Sequence, residues 1–81
     1  MKRLTEIPKN QSDELYEMLM CDENFRYDVS EGGFYTDDGV IVGIDRSPYQ
    51  CMIYAANQSG EENVTKWYNY IIEKWNDMHN N

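Results

Sequence analysis

Few side chains in this chain are of a type that does chemistry, and their spacing gives most of them a plainer use. The single histidine, His79, stands next to the end of the sequence, where order is lost first. A cation there complements a helix C-terminus, so His79 is not expected to act as a catalytic base. Ser12, Ser30, Ser47 and Ser59 lie outside any nucleophile motif, and three of them sit where caps or turns are expected. Gly32-Gly33 and Gly39 do not open a helix and so do not make a phosphate loop. Asp37-Asp38-Gly39 followed by Asp45 has the outline of a divalent-cation loop. The segment from Val40 to Ile44, however, supplies neither oxygen ligands at alternate positions nor a closing Glu. Turn-forming Asp accounts for the pair instead. Cys21 and Cys51 have no matching pair of histidines for zinc, and are expected as reduced, mostly buried thiols. A glycosidase-like pair of carboxylates would need a substrate cleft, which a chain this short scarcely encloses. No catalytic, cofactor or metal residue is assigned.

Charge is more telling. The 81 residues carry 15 acidic and 7 basic side chains, a formal charge of −8. Such a surface repels nucleic acid and anionic lipid and attracts cationic surfaces. Direct DNA or RNA binding needs a basic patch that displaces counterions, and the lysines and arginines here are scattered. Hydrophobic residues at 41 % and aromatics at 14 % are enough for one modest core, unlike an acidic disordered tail. The residues from Met1 to Gln11 lack the apolar run of a signal peptide, and no stretch is long enough to span a bilayer. A cytoplasmic protein is expected.

The elements that would position these residues form one α+β domain over 1–81. A short N-terminal helix is expected from Ser12, its cap, to about Asp22–Asn24, with Leu15, Met18 and Leu19 on one face and Ile7 beneath its entry. Phe25, Tyr27 and Val29 alternate with polar residues, the period of a half-buried strand. Glu31-Gly32-Gly33 turns the chain into a second strand from Phe34 to Thr36, and the Asp38-Gly39 pair marks a tight hairpin. Val40 to Asp45 reads as a central strand. After a turn at Arg46-Ser47-Pro48, Tyr49 to Ala56 forms the last strand. Short links between neighbours predict a three- to four-stranded antiparallel meander. Ser59-Gly60-Glu61-Glu62 reads as a capping box for a long amphipathic helix, with an i,i+4 pair between Glu62 and Lys66. Val64, Trp67, Tyr68, Ile71, Ile72, Trp75 and Met78 repeat at helical spacing and should lie across the sheet.

Three features carry functional content. Acids line the first helix (Asp13, Glu14, Glu17, Asp22, Glu23) and the sheet with its turns (Asp28, Glu31, Asp37, Asp38, Asp45). The last strand is apolar on both faces, so either the first helix covers the second face or an aromatic patch with Tyr35, Tyr54 and Met52 is left for a partner. The covered arrangement is expected, because small folds seldom leave such a patch open. The chain also has 7 tyrosines, a residue favoured at recognition surfaces for its area and hydrogen-bonding tip. The expected partner-binding set is Asp28, Glu31, Tyr35, Asp37, Asp38, Asp45 and Tyr49.

In size, charge and element order, with the acidic turn Tyr35-Thr36-Asp37-Asp38-Gly39, the strand ending at Asp45 and the aromatic C-terminal helix, the chain resembles small acidic inhibitors carried by phages and mobile elements. These are anti-CRISPR and antirestriction proteins of the DNA-mimic type. The resemblance implies a non-enzymatic inhibitor whose carboxylates imitate phosphates and occupy the Lys/Arg-lined groove of a nuclease complex. It implies no cofactor and no direct contact with nucleic acid or membrane. A rival from another class is an immunity or antitoxin-like protein that neutralises a basic nuclease toxin, which would be acidic for the same electrostatic reason.

Overall fold

The computed structural model describes residues 2–3, 7–28, 30, 33–46, 49–55 and 60–79. The elements in chain order are β1 (Lys2–Arg3), a 3₁₀ turn at Lys9–Gln11, α1 (Ser12–Met20), β2 (Arg26–Asp28), β3 (Gly33–Tyr35), β4 (Val40–Arg46), β5 (Tyr49–Ala55) and α2 (Glu61–His79). The fold is α+β. Strands β2 to β5 make the expected antiparallel meander, and β1 adds an edge that the sequence did not reveal, giving the order β1-β5-β4-β3-β2. A two-residue strand carries no readable alternation, so β1 is visible only through its pairing of Lys2 with Ile53 and Arg3 with Met52.

Register fixes which residues share a face. Tyr27, Phe34, Val42 and Ile53 lie in one row across β2, β3, β4 and β5. Phe34, Val42 and Ile53 are fully buried, and they form one core with Ile7, Leu15, Met18 and Leu19 from the first helical region and Val64, Trp67, Ile71 and Trp75 from α2. Both helices therefore pack on the same side of the sheet, and the protein has two layers. The arrangement with α1 on the opposite face does not occur. A nine-residue helix is too short to be stable alone, and it gains most by sharing one continuous core with α2. Rings fill much of that core: Phe25 meets Trp67 at 5.3 Å, Trp67 meets Tyr70 at 5.2 Å, and Tyr16 meets Phe34 at 5.0 Å.

Local expectations differ from the structure in instructive ways. α1 begins at Ser12, but its N-cap is Gln11 and no side chain caps it. The 3₁₀ turn runs straight into the helix, its Gln11 amide donating to the Pro8 carbonyl at 3.0 Å. Cys21 is exposed rather than buried, because it closes the helix past the Leu15/Leu19 stripe. The Cys51 side chain, Val29 and the capping-box Ser59 lie outside the described residues. Tyr27 is 44 % exposed, since β2 is an edge strand, although its ring still meets Phe34 at 5.2 Å. Met78 ends the apolar stripe of α2 but is 50 % exposed, at the rim between the helices. Lys66 turns to Asp38 at 3.3 Å rather than to Glu62.

Candidate functional site

The face of the sheet away from the helices is the natural candidate for a contact surface. Across it Arg26 pairs with Tyr35, Tyr35 with Ile41, and Ile41 with Tyr54. Tyr35 and Tyr54 are half-buried, and between them Ile41 is 6 % exposed yet lies outside the shared core. The next row holds Asp28 opposite Gly33, and Gly43 opposite Met52. Gly33 adopts φ +149°, and a Cβ there would meet the Val42 carbonyl oxygen at 2.4 Å, so only glycine fits this close against the backbone of β4. The face combines aromatic area and phenolic hydrogen-bonding tips, with an ion pair at its margin.

That ion pair joins Asp37 to Arg26 at 3.4 Å, and Asp37 is 81 % exposed. Its neighbour Asp38 faces the opposite way, as adjacent residues in a turn can. Asp38 accepts hydrogen bonds from the Trp67 indole at 2.8 and 3.0 Å, from the Thr36 hydroxyl and from Lys66. Thr36 in turn closes the β3–β4 hairpin: its amide donates to the Val40 carbonyl at 2.9 Å, and its hydroxyl accepts from the Val40 amide at 3.1 Å. Gly39, at φ +86°, supplies the left-handed residue this turn needs. Partial burial raises the Asp38 pKa, but the bonds from Thr36, Trp67 and Lys66 outweigh it and hold the carboxyl below its ordinary range.

The expected partner-binding residues are thus not a single patch of outward acids. Tyr35 lies on the open face and Asp37 at its margin. Asp28 accepts from the amide and hydroxyl of Ser30 at 2.9 and 2.7 Å, shaping the end of β2. Asp38 fastens the hairpin to α2. Asp45 pairs with Gln50 and Tyr49 with Arg46 at the far end of β4 and β5, where backbone positions alone are described. Glu31 lies outside the described residues. The two-sided apolarity of the last strand pointed to Tyr54 and Met52 beside Tyr35 as a patch, but the expected partner-binding set left both out, and Ile41 and Arg26 were missed altogether.

A second polar centre was also missed. Asp22, 4 % exposed, was read as one of the acids lining the surface of the first helix. It accepts from the Asn24 amide at 2.9 Å and side chain at 3.0 Å, the Tyr70 hydroxyl at 2.7 Å and Lys74 at 2.5 Å. Burial raises its pKa, yet the bonds from Lys74, Tyr70 and Asn24 prevail and keep it below the ordinary range. Residue 22 follows the helix end, where a carboxylate can turn inward only if donors from another element await it.

His79 makes a further tie. Its Nδ1 lies 2.7 Å from the Trp75 carbonyl and its Nε2 lies 2.9 Å from Glu14. Two acceptors face the two ring nitrogens, so the doubly protonated imidazolium fits best. The carbonyl and the carboxylate raise its pKa.

Among the described residues no three His, Cys, Asp or Glu side chains converge to hold a metal ion, and no helix is long and apolar enough to cross a membrane. No protein-family model, curated protein or solved structure matches the chain.

Proposed function

We propose that this protein acts by binding a cationic macromolecular surface in the cytoplasm and not by catalysis. The observation that carries the reading is the placement of both helices on one side of the sheet. It leaves the row Tyr35–Ile41–Tyr54 on the other side of a molecule with a net charge of −8. Tyrosines make good anchors because they bring area and a polar tip with few rotatable bonds. The surrounding negative potential accelerates encounter with a basic partner and rejects acidic ones.

In its finer form, the reading is an inhibitor of the anti-CRISPR or antirestriction kind that fills a nucleic-acid groove on a nuclease complex. Asp37, outward at the margin of the open face, is the described carboxylate placed to stand in for a phosphate there. Asp28 shapes the end of β2 through Ser30, and Asp38 fastens the hairpin to α2 behind the face.

The test uses the tagged protein against purified candidate nuclease complexes, with duplex DNA as competitor. Mutual loss of affinity between inhibitor and DNA is expected, together with weaker binding as salt rises. Simultaneous occupancy of the target by both, without mutual weakening, overturns mimicry. Unchanged binding by Tyr35→Ala with Tyr54→Ala overturns the open face as the contact.

A further inference from the structure

The helical layer carries a groove of its own. α1 and α2 run antiparallel, tied at one end by Glu14 and His79 at 2.9 Å and at the other by Asp22 with Tyr70 and Lys74. Between these ties lies a groove of about 300 Å³ lined by Glu14, Glu17, Met18, Cys21, Lys74 and Met78. The α1 side is one helical stripe, at steps of three, four and seven residues from Glu14, and the α2 side is the four-residue step from Lys74 to Met78.

Its chemistry is apolar between acidic margins. Met78 is 50 % exposed, and Met18 lies buried beneath it on the α1 side. Methionine is flexible and polarizable, and it suits surfaces that accept varied apolar side chains. Lys74, the cation of the groove, is drawn to Asp22 and Glu14 is held by His79, while Glu17 is exposed on α1 and Glu73 and Asp77 follow on α2. The margin therefore favours a cationic occupant. A second copy of a chain with a charge of −8 would bring like charges together, which opposes self-association here.

We propose that the seam between α1 and α2 is a docking groove for a basic amphipathic helical segment of a partner protein. Apolar residues one turn apart on such a segment would rest on Met18 and Met78, with lysine or arginine facing Glu17 on the α1 side and Asp77 on the α2 side. This surface is on the opposite layer from Tyr35 and Tyr54, so the two contacts can be lost separately.

The experiment titrates the full chain, with methyl-labelled methionines, with a synthetic Leu/Lys amphipathic peptide and its Leu/Glu twin. The Leu/Lys peptide is expected to shift the methyl resonances of Met18 and Met78 while leaving Met52 on the sheet unmoved. Its binding should weaken ~10-fold or more in Met78→Asp. Rising salt should weaken it further, and the Leu/Glu twin should fail to bind. Met78 is half exposed, so the variant should keep its melting temperature, and Glu17→Lys provides a second, charge-only variant expected to weaken binding. Shifts confined to Met52 would overturn the groove while leaving the sheet-face reading intact. Equal binding of both peptides, or of neither, overturns it as well. Concentration-dependent sedimentation of the free protein that Met78→Asp abolishes would assign the groove to a second copy, and the proposal would fall.

Discussion

The Trp67 indole nitrogen donates to both oxygens of Asp38, at 2.8 and 3.0 Å, and this contact fastens the β3–β4 hairpin to α2. Lys66 lies over the same indole ring at 4.7 Å and reaches the same carboxylate. Two adjacent aspartates in one turn therefore have different work: Asp38 holds the tertiary structure together, and Asp37 faces solvent.

Asp38→Asn should lower stability by about 1–2 kcal/mol, since Trp67 and Thr36 lose a charged acceptor. Asp37→Lys should stay within about 0.5 kcal/mol of the parent, as an exposed pair at 63 % and 81 % accessibility contributes little. Urea denaturation of the two variants measures both. Equal losses would mean that Asp38 is not the hairpin's fastening.

Trp67→Ala should cost about 3–5 kcal/mol as a large truncation of a residue 8 % exposed. Trp67→Phe keeps most of the ring packing and removes the donor, so about 1–2 kcal/mol is expected. A double-mutant cycle with Asp38→Asn should show coupling, because both changes act on the same indole–carboxylate contact.

Asp22→Asn should destabilise by about 2–3 kcal/mol, less than a fully buried pair because Lys74 is 37 % exposed and can rehydrate. Tyr70→Phe should cost about 1 kcal/mol through the same centre. Thermal melts read both. A neutral Asp22→Asn would show that the neighbouring donors do not depend on its charge.

Gly33→Ala should lose about 1–3 kcal/mol, because φ +149° is strained for a side chain and the new Cβ would strike the Val42 carbonyl. For a domain of this size that corresponds to a melting point lower by roughly 4–8 °C per kcal/mol. An unchanged melt would place Gly33 away from the backbone of β4.

The pH profile follows from groups shifted in opposite directions. Asp22 and Asp38 have folded pKa values below their unfolded ones. Their stabilisation is present above about pH 4 and is lost as pH falls through the folded values. His79 has a folded pKa above its unfolded one, so its contribution is present below about pH 6.5 and is lost as pH rises through the folded value. All three act together between about pH 4 and pH 6.5. His79→Gln should flatten the alkaline side of a melting-temperature profile, and Asp22→Asn the acid side. A His79→Gln profile that matches the parent from pH 5 to 8 would remove His79 from this account.

The sequence alone was enough for the α2 stripe of Val64, Trp67, Ile71 and Trp75, for the central strand from Val40, and for the Asp38-Gly39 hairpin. Each is a local pattern, a period or a turn preference, that acts within a few residues. The tertiary structure decided the rest. Whether α1 lay beside α2 or beneath the sheet depended on which partner let Leu15 and Leu19 share a core, and no spacing within Ser12–Met20 records that choice. Asp22 and Asp38 looked like surface acids because their donors, Lys74, Tyr70 and Trp67, lie far along the chain and meet them only after folding. A carboxylate's role is set by what surrounds it in space, and in this fold α2 brings the donors that draw both aspartates inward.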